Sequence, residues 1–257
     1  MKKLVLALTA VAAFTGSALA ADLPARTYTK APVIVETPSW TGFYIFGGGG
    51  YGLWDANTYS VNTATGNATS IAQRSGGDGY VGTVGAGYDW QLSQSWVGGI
   101  FADGQFGSIR GSLVDPTNAL AGTEKDKTNW AAGLRLGYVV APTVLSYVNG
   151  GYSGSNFSGT TLATAAGVAA ATTPSFSRSG WFLGGGVENQ LGVLGFGPNW
   201  FMKTEYRVAE YNKATLTEST LAGVPTTAGT TYSPIVQTVT TSLVYRFNWT
   251  GPVVAKY

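Results

Sequence analysis

The sequence predicts an all-β fold: eight antiparallel strands closed into a transmembrane β-barrel, with short periplasmic turns and long extracellular loops. Three observations predict it. In residues 235–247, Val239, Thr241, Leu243, Tyr245 and Phe247 fall on one face, and Thr238, Thr240, Ser242 and Arg246 fall on the other. That period of two suits a wall with lipid outside and a polar interior. Connections alternate in length: residues 93–95, 141–143 and 192–198 are short, whereas 55–78, 111–126, 158–178 and 215–234 are long and rich in Thr, Ala, Ser, Gly and Asn. A soluble sandwich has no reason to gather every long connection at one end. Finally, only 11% of residues are charged, against about a quarter in soluble domains, yet beyond residue 20 no apolar run is long enough for a membrane helix.

The elements follow in order. The first strand is expected at 41–54, its glycine run Gly47–Gly50 leaving room inside a narrow barrel. The second is expected at 79–92, where Val84, Ala86, Tyr88 and Trp90 oppose Thr83, Gly85, Asp89 and Gln91. The third runs over 96–110. The fourth, 127–140, sets Trp130, Ala132, Leu134, Leu136 and Tyr138 against Arg135. The fifth covers 144–157. The sixth, 179–190, sets Trp181, Leu183 and Val187 against Glu188. The seventh, 200–214, alternates Met202, Thr204, Tyr206 and Val208 with Lys203, Glu205 and Arg207. The eighth is 235–247. An even number of strands puts both ends of the barrel on the periplasmic side.

Residues 1–20 read as a secretory signal: Lys2 and Lys3, an apolar stretch over 4–14, and a small-x-small ending at Ala18-Leu19-Ala20. Lys2 and Lys3 carry both units of the +2 net charge, so the chain after cleavage is near neutral. No basic stripe points to nucleic acid. Residues 21–39, with three prolines, read as an extended periplasmic arm; 40–249 is the barrel and 250–257 a C-terminal tail. The chain has no cysteine and no histidine, which removes disulfides, thiol chemistry, lipid attachment at a cysteine and the commonest metal ligand and general base.

Gly47-x-Gly49-x-x-Gly52 matches a dinucleotide fingerprint by letter, but an Asn/Thr/Ser-rich loop follows where a helix N-terminus is needed. Three Asn-x-Ser/Thr sequons, at Asn67, Asn156 and Asn248, are chance matches behind a bacterial-type signal. The constellation that matters faces inward. Alternation puts the acids Asp89, Asp103, Glu188 and Glu205 in the lumen with the bases Arg135, Lys203, Arg207 and Arg246. Buried charges are costly unless paired, and eight strands enclose a space that side chains can fill. A salt-bridged plug is therefore expected; a polar track for solutes is the alternative. A catalytic carboxylate pair has no nucleophile, histidine or metal cluster beside it. No enzyme, cofactor or metal is expected. All eight tryptophans (Trp40, Trp54, Trp90, Trp96, Trp130, Trp181, Trp200 and Trp249) lie near expected strand ends, as interfacial girdles require.

The signal ending, Ala21-Asp22-Leu23-Pro24, Trp40-Thr41-Gly42-Phe43-Tyr44-Ile45, Gly87-Tyr88-Asp89-Trp90-Gln91, Gly133-Leu134-Arg135-Leu136-Gly137-Tyr138 and Tyr245-Arg246-Phe247 together resemble the small porin-family outer-membrane proteins of alphaproteobacteria. The resemblance covers nearly all of the mature chain. It implies a barrel similar to the transmembrane domain of outer-membrane protein A, in the outer membrane of a Gram-negative bacterium, and a role as surface antigen and envelope-stabilising protein. Two departures stand out. Phe101 occupies a place where the family often has an acid, two residues before Asp103. The chain also continues past Phe247, the candidate assembly signal, to a second aromatic candidate at Tyr257. Relatives joined to peptidoglycan through an N-terminal Ala-Asp imply the same for Ala21 and Asp22; an ordinary post-cleavage sequence is the other reading. The expected function is structural, in envelope integrity and surface display, with a small-solute or ion-conducting porin as the alternative. The expected partners are outer-membrane lipid and lipopolysaccharide, the barrel-assembly machinery and, through the arm, peptidoglycan.

Overall fold

A computed structural model describes residues 39–247. The signal, nearly all of the arm with Ala21 and Asp22, Asn248, Trp249 and the tail lie outside the described residues. Eleven strands run in chain order: β1 (Gly42–Asn62), β2 (Gln73–Gln91), β3 (Trp96–Asp115), β4 (Leu120–Ala141), β5 (Val144–Phe157), β6 (Thr160–Ala163), β7 (Ala169–Thr173), β8 (Phe176–Gln190), β9 (Trp200–Tyr211), β10 (Ala214–Thr220) and β11 (Pro225–Phe247). Eight of them form the ring β1-β2-β3-β4-β5-β8-β9-β11, which closes by antiparallel pairing of β1 with β11 from Phe43↔Phe247 to Asn62↔Ala228. Closure satisfies every ladder and leaves no edge for lipid to meet.

The wall is two-sided, as a period of two demands. Ile45, Val84, Ile100, Leu134, Leu136, Val148, Leu183, Met202, Val239 and Leu243 are exposed on the outside. An aromatic belt bounds them at each end. Phe43, Trp90, Trp96 and Tyr138 lie toward the short turns, and Tyr51, Tyr80, Phe106, Trp130, Tyr152 and Trp181 toward the long connections; all ten are at least 40% exposed. Trp96 to Phe106 is ten steps along β3; at about 3.3 Å per residue and a tilt of about 40° the apolar band is about 25 Å tall, a bilayer dimension.

The tryptophan expectation needs correction. Trp40 and Trp54 are 1% and 2% exposed and belong to the lumen core. Trp40 precedes β1 and turns in against Phe201, with ring centroids 5.2 Å apart. Trp54 falls on the inward parity of β1 and meets Tyr232 edge-on at 6.1 Å. Proximity to a strand end did not decide their side; parity did.

The long connections are also less loop-like than their composition suggests. β1 and β2 continue past the aromatic belt as a paired hairpin to Thr58↔Gln73, and β3 and β4 continue to Asp115↔Leu120. β9 ends at Tyr211, short of the expected 214, and the chain re-enters the sheet as β10, paired with β11. β6 and β7 form a hairpin on the rim, joined to β4 and β10. Leu113, Leu120, Leu162 and Ala171 pack into a small core beneath it. Thr and Val are favourable in strands, and extending the ladder pairs backbone groups that loops would leave to water. Gly167 and Gly223 hold φ of 78° and 81° at the tips of the β6–β7 and β10–β11 hairpins, a conformation that costs glycine little.

Candidate functional site

The lumen is layered. Nearest the short turns, Asp89 (β2), Arg135 (β4), Glu188 (β8) and Arg246 (β11) form a quartet, each at most 4% exposed. Arg135 pairs with Asp89 through both ends of its fork, with Nε donating at 2.7 Å, and its Nη1 donates to Glu188 at 3.1 Å. Arg246 Nε donates to the other Glu188 oxygen at 2.7 Å, and its Nη1 donates to the Trp40 carbonyl at 3.2 Å. Arg246 Nη2 lies 2.8 Å from Asp89 without hydrogen-bond alignment, an ion-pair contact only. Gly99 makes the quartet possible, because a Cβ there would collide with the Asp89 carboxylate.

One layer up, Arg207 (β9) grips Asp103 (β3) with two bonds, 2.9 and 2.6 Å, and reaches Glu205 at 2.7 Å. Glu205 also accepts from Tyr147 at 2.8 Å and from Asn149 at 2.9 Å, and Lys203 Nζ lies 3.8 Å away. Aromatic rings insulate these ions. Arg135 sits 4.6 Å from the Tyr44 ring centre and 5.1 Å from that of Tyr147, Lys203 lies 3.3 Å from Phe46, and Arg246 lies over Trp40, Tyr44 and Phe201. Each such contact is worth up to about 2 kcal/mol where water is excluded. Phe101, at the departure from the family pattern, points inward and packs edge-on against Phe182 at 5.9 Å. Arg207 lies over both rings. The structure thus brings all eight inward charges into two contiguous clusters, each with two acids and two bases.

Above them lies an aromatic septum of Trp54, Phe157, Phe176, Tyr211 and Tyr232, with centroid separations of 4.9 to 6.3 Å. Outside the apolar band four more acids point inward, all at most 2% exposed: Asp126 (β4), level with Phe157 of the septum, and beyond it Glu124 (β4), Asp115 (β3) and Glu218 (β10). None makes an ion pair among the described residues. Hydroxyls and amides serve instead. Thr160 donates to Glu124 at 2.9 Å, Ser155 and Asn129 donate to Asp126 at 2.8 and 2.9 Å, Thr230 donates to Glu218 at 3.1 Å, and Asn118 donates to Asp115 at 2.6 Å. Burial pushes the Glu124 and Glu218 carboxyls up to about 7 and that of Asp126 up to about 6; the neighbouring acid adds to the rise at Glu124 and Glu218. Among the described residues their oxygens do not converge into a metal cage.

Sequence reasoning missed this upper set because it read 111–126 and 215–234 as loops. The signal was present: in Glu124-Lys125-Asp126-Lys127 the acids face in and the lysines face out. Phe247 closes β11, with its ring 5.6 Å from Phe43 and 4.9 Å from Tyr245.

Comparison with known proteins agrees with this architecture. The outer membrane protein beta-barrel domain family matches residues 6–247. A 31 kDa outer-membrane immunogenic protein of Brucella melitensis is 33% identical over 226 residues, covering 85% of this chain and 90% of the relative. The outer membrane protein OprG of Pseudomonas aeruginosa aligns with a TM-score of 0.47 at 11% identity, covering 80% of this chain and 97% of that one. Ail of Yersinia pestis aligns at 0.36 and 11% identity, covering 80% and 99%. Outer-membrane barrels have short periplasmic turns and longer extracellular connections, so the short-turn end is periplasmic and the rim of β6, β7 and β10 extracellular. The chain belongs to the outer membrane beta-barrel protein family and resides in the outer membrane of a Gram-negative bacterium.

Proposed function

We propose that this protein is a structural, non-enzymatic barrel whose lumen is closed and whose rim is a surface display. The observation that carries the reading is charge pairing across the lumen. Four bases and four acids from β2, β3, β4, β8, β9 and β11 meet there, interleaved with aromatic rings. A conducting path needs mobile water beside its charges, whereas here each ion is at most 7% exposed and tied to a partner or a ring. The immunogenic relative supports the display half of the reading.

Planar-bilayer recording of the refolded mature chain tests it. The wild type is expected to show no stable openings. An Arg135→Ala/Arg207→Ala barrel is expected to show them, because each of the two charge clusters loses a forked cation. Steady large conductance from the wild type would overturn the reading in favour of a small-solute porin. The arm extends the same role. A peptidoglycan bond at the Ala21 amine, with Asp22 in recognition, would anchor the envelope through a segment that spans up to about 60 Å when extended. Muramidase-digested sacculi should then release the barrel with a muropeptide mass on Ala21. Full extraction of the chain by hot detergent with an unmodified N-terminus would remove the tether and leave the barrel.

A further inference from the structure

We infer that the β6–β7 hairpin is a proton-latched flap, closed over the extracellular end of the barrel while Glu124 and Glu218 are protonated and released when they ionise. This goes beyond the closed-lumen reading, which rests on the charge clusters below the septum.

The barrel carries a second ring above the first. Past the apolar band β5, β8 and β9 drop out and β6, β7 and β10 take their places, so the ring continues as β1-β2-β3-β4-β6-β7-β10-β11. The two rings are not equally well joined. In the lower one β8 pairs with β9 without a break from Gly180↔Tyr211 to Gln190↔Phe201. In the upper one the hairpin meets β4 only at Ala121↔Ala163, and meets β10 only at Ser219↔Thr172 and Thr220↔Ala171. Its base is fixed, because Ser158 donates its N–H to the Lys125 carbonyl at 2.9 Å. The hairpin is thus a short lever, held at the base and lightly fastened along both sides.

A buried acid sits at each fastening. On the β4 side Glu124 accepts at 2.9 Å from Thr160, the first residue of β6. On the β10 side Glu218 immediately precedes Ser219 and Thr220; it accepts from Thr230 at 3.1 Å and is hydrogen-bonded to Asp115 of β3. Two carboxyl groups bond each other only through a proton held between them. Among the described residues neither acid makes an ion pair. Glu124 faces Asp126 and the Tyr232 phenol, with Lys127 on the outer side of β4 and Arg178 of β8 acting on Tyr232. Glu218 faces Asp115. The upper parts of β1, β2 and β11 turn the hydroxyls of Thr58, Ser60, Ser75 and Thr230 inward, and β6 and β7 carry no charge.

Closure therefore takes up protons. A carboxyl released into water returns to the ordinary range of about 4, whereas in the closed flap both acids hold their protons up to about 7. Closure is fully favoured below the lower limit and is lost as pH rises through the upper one. Between the two limits the opening constant rises about tenfold per pH unit for each acid, and it levels off above about pH 7. A small apolar core opposes release: Leu162 and Ala171 of the hairpin pack with Leu113 and Leu120. Opening uncovers Leu113 and Leu120, so above neutral pH the rim shows an apolar face that it hides in acid.

The chain has no cysteine, so engineered ones report alone. Spin labels at Val168→Cys, near the hairpin tip, and Ile71→Cys, on the β1–β2 connection, measure the flap by pulsed electron resonance in the refolded mature barrel; both positions are exposed. One distance is expected at pH 5, and at pH 8 a second whose share has risen at least about tenfold. Glu124→Gln/Glu218→Gln, whose amides keep the shape of the protonated acids, is expected to hold the closed distance at both pH values. Each single amide should halve the slope with pH, and the singles carry the test if heat-modified gel mobility shows that the double variant forms no barrel. Asp126→Asn should still open, because Asp126 serves Ser155 and Asn129 on the lower ring. A second label pair, Ile71→Cys/Leu221→Cys, reports the β10–β11 hairpin and should not move. A single distance at both pH values, or wild-type opening of the amide variants, overturns the proposal. Equal movement of both label pairs overturns the flap in favour of a rim that loosens as a whole.

Discussion

The two halves of the lumen bury charge in opposite ways. Below the aromatic septum four acids meet four bases, and each carboxylate has at least one cation in reach. At and above it four acids are buried as deeply, yet no described cation pairs with them. The lower set lies between the aromatic belts, where no water can screen an orphaned ion, so only charged partners suffice. The upper set lies beyond the lipid band. There the wall has left the hydrocarbon, and the carboxyls are held by Thr, Ser and Asn donors. Burial alone therefore does not fix the state of an inward acid; the surroundings of the wall decide which compensation is available.

The sharpest way to break this contrast is to orphan a charge in the lower half. Arg135→Ala leaves Asp89 and Glu188 sharing Arg246, and should cost about 3–5 kcal/mol in urea unfolding of the reconstituted barrel. Asp89→Ala/Arg135→Ala should cost less than the sum of its parts, because the second change removes an uncompensated ion. Additive losses would mean the quartet is not one unit.

A somewhat smaller effect calibrates the membrane boundary on which the contrast rests. Leu136→Arg or Leu243→Arg, on the lipid face, should cost about 2–4 kcal/mol in lipid vesicles. The same substitution at exposed Ile71, beyond the band, should change little. Equal costs would erase the distinction between the halves.

Next comes pH. Folded-state values of about 7 for Glu124 and Glu218 and about 6 for Asp126 lie above the ordinary carboxylate range of about 4. The folded rim therefore binds more protons than the unfolded chain between those limits. Its stability is fully present below about pH 4 and falls as pH rises through about 6 to 7. Hydrogen exchange over β4, β6 and β10 should speed up between pH 5 and pH 8. In Glu124→Gln/Asp126→Asn/Glu218→Gln that slope should flatten. The paired lower half should show no loosening over this window, and a uniform response along the barrel would contradict the comparison.

The smallest effect concerns the septum. Tyr232 is fully buried and its hydroxyl has no hydrogen-bond partner among the described residues. Tyr232→Phe should keep the ring contacts with Trp54 and Phe157 and shift stability by less than about 1 kcal/mol. A larger loss would mean that this hydroxyl does work for the acids above it.

Much of this was legible residue by residue. Val239 and Leu243 face lipid and Thr238 and Thr240 face the lumen because a strand turns each side chain over from the one before. The inward side of Asp89, Glu205 and Arg207 was legible for the same reason. Less legible were Trp40 and Trp54, whose amphipathic rings suit either a belt or a core. The segment 111–126 looked like a loop because small and polar residues around Pro116 and Asn118 interrupt it, although Glu124 and Asp126 continue the alternation that β4 begins.

By itself, then, the sequence determined the eight strands of the ring, the alternating turn lengths, the side of the wall for each residue on a clear strand, and the four acids and four bases of the lower lumen. Those are local properties, set by a period of two and by turn chemistry. Only the tertiary structure decided which charges meet. Arg207 takes Asp103 from 104 positions away, and Arg246 reaches the Trp40 carbonyl across 206. Such partners depend on the register of every ladder around the closed ring, and on the tilt that sets residues of distant strands at one height. Local alternation carries no information about either.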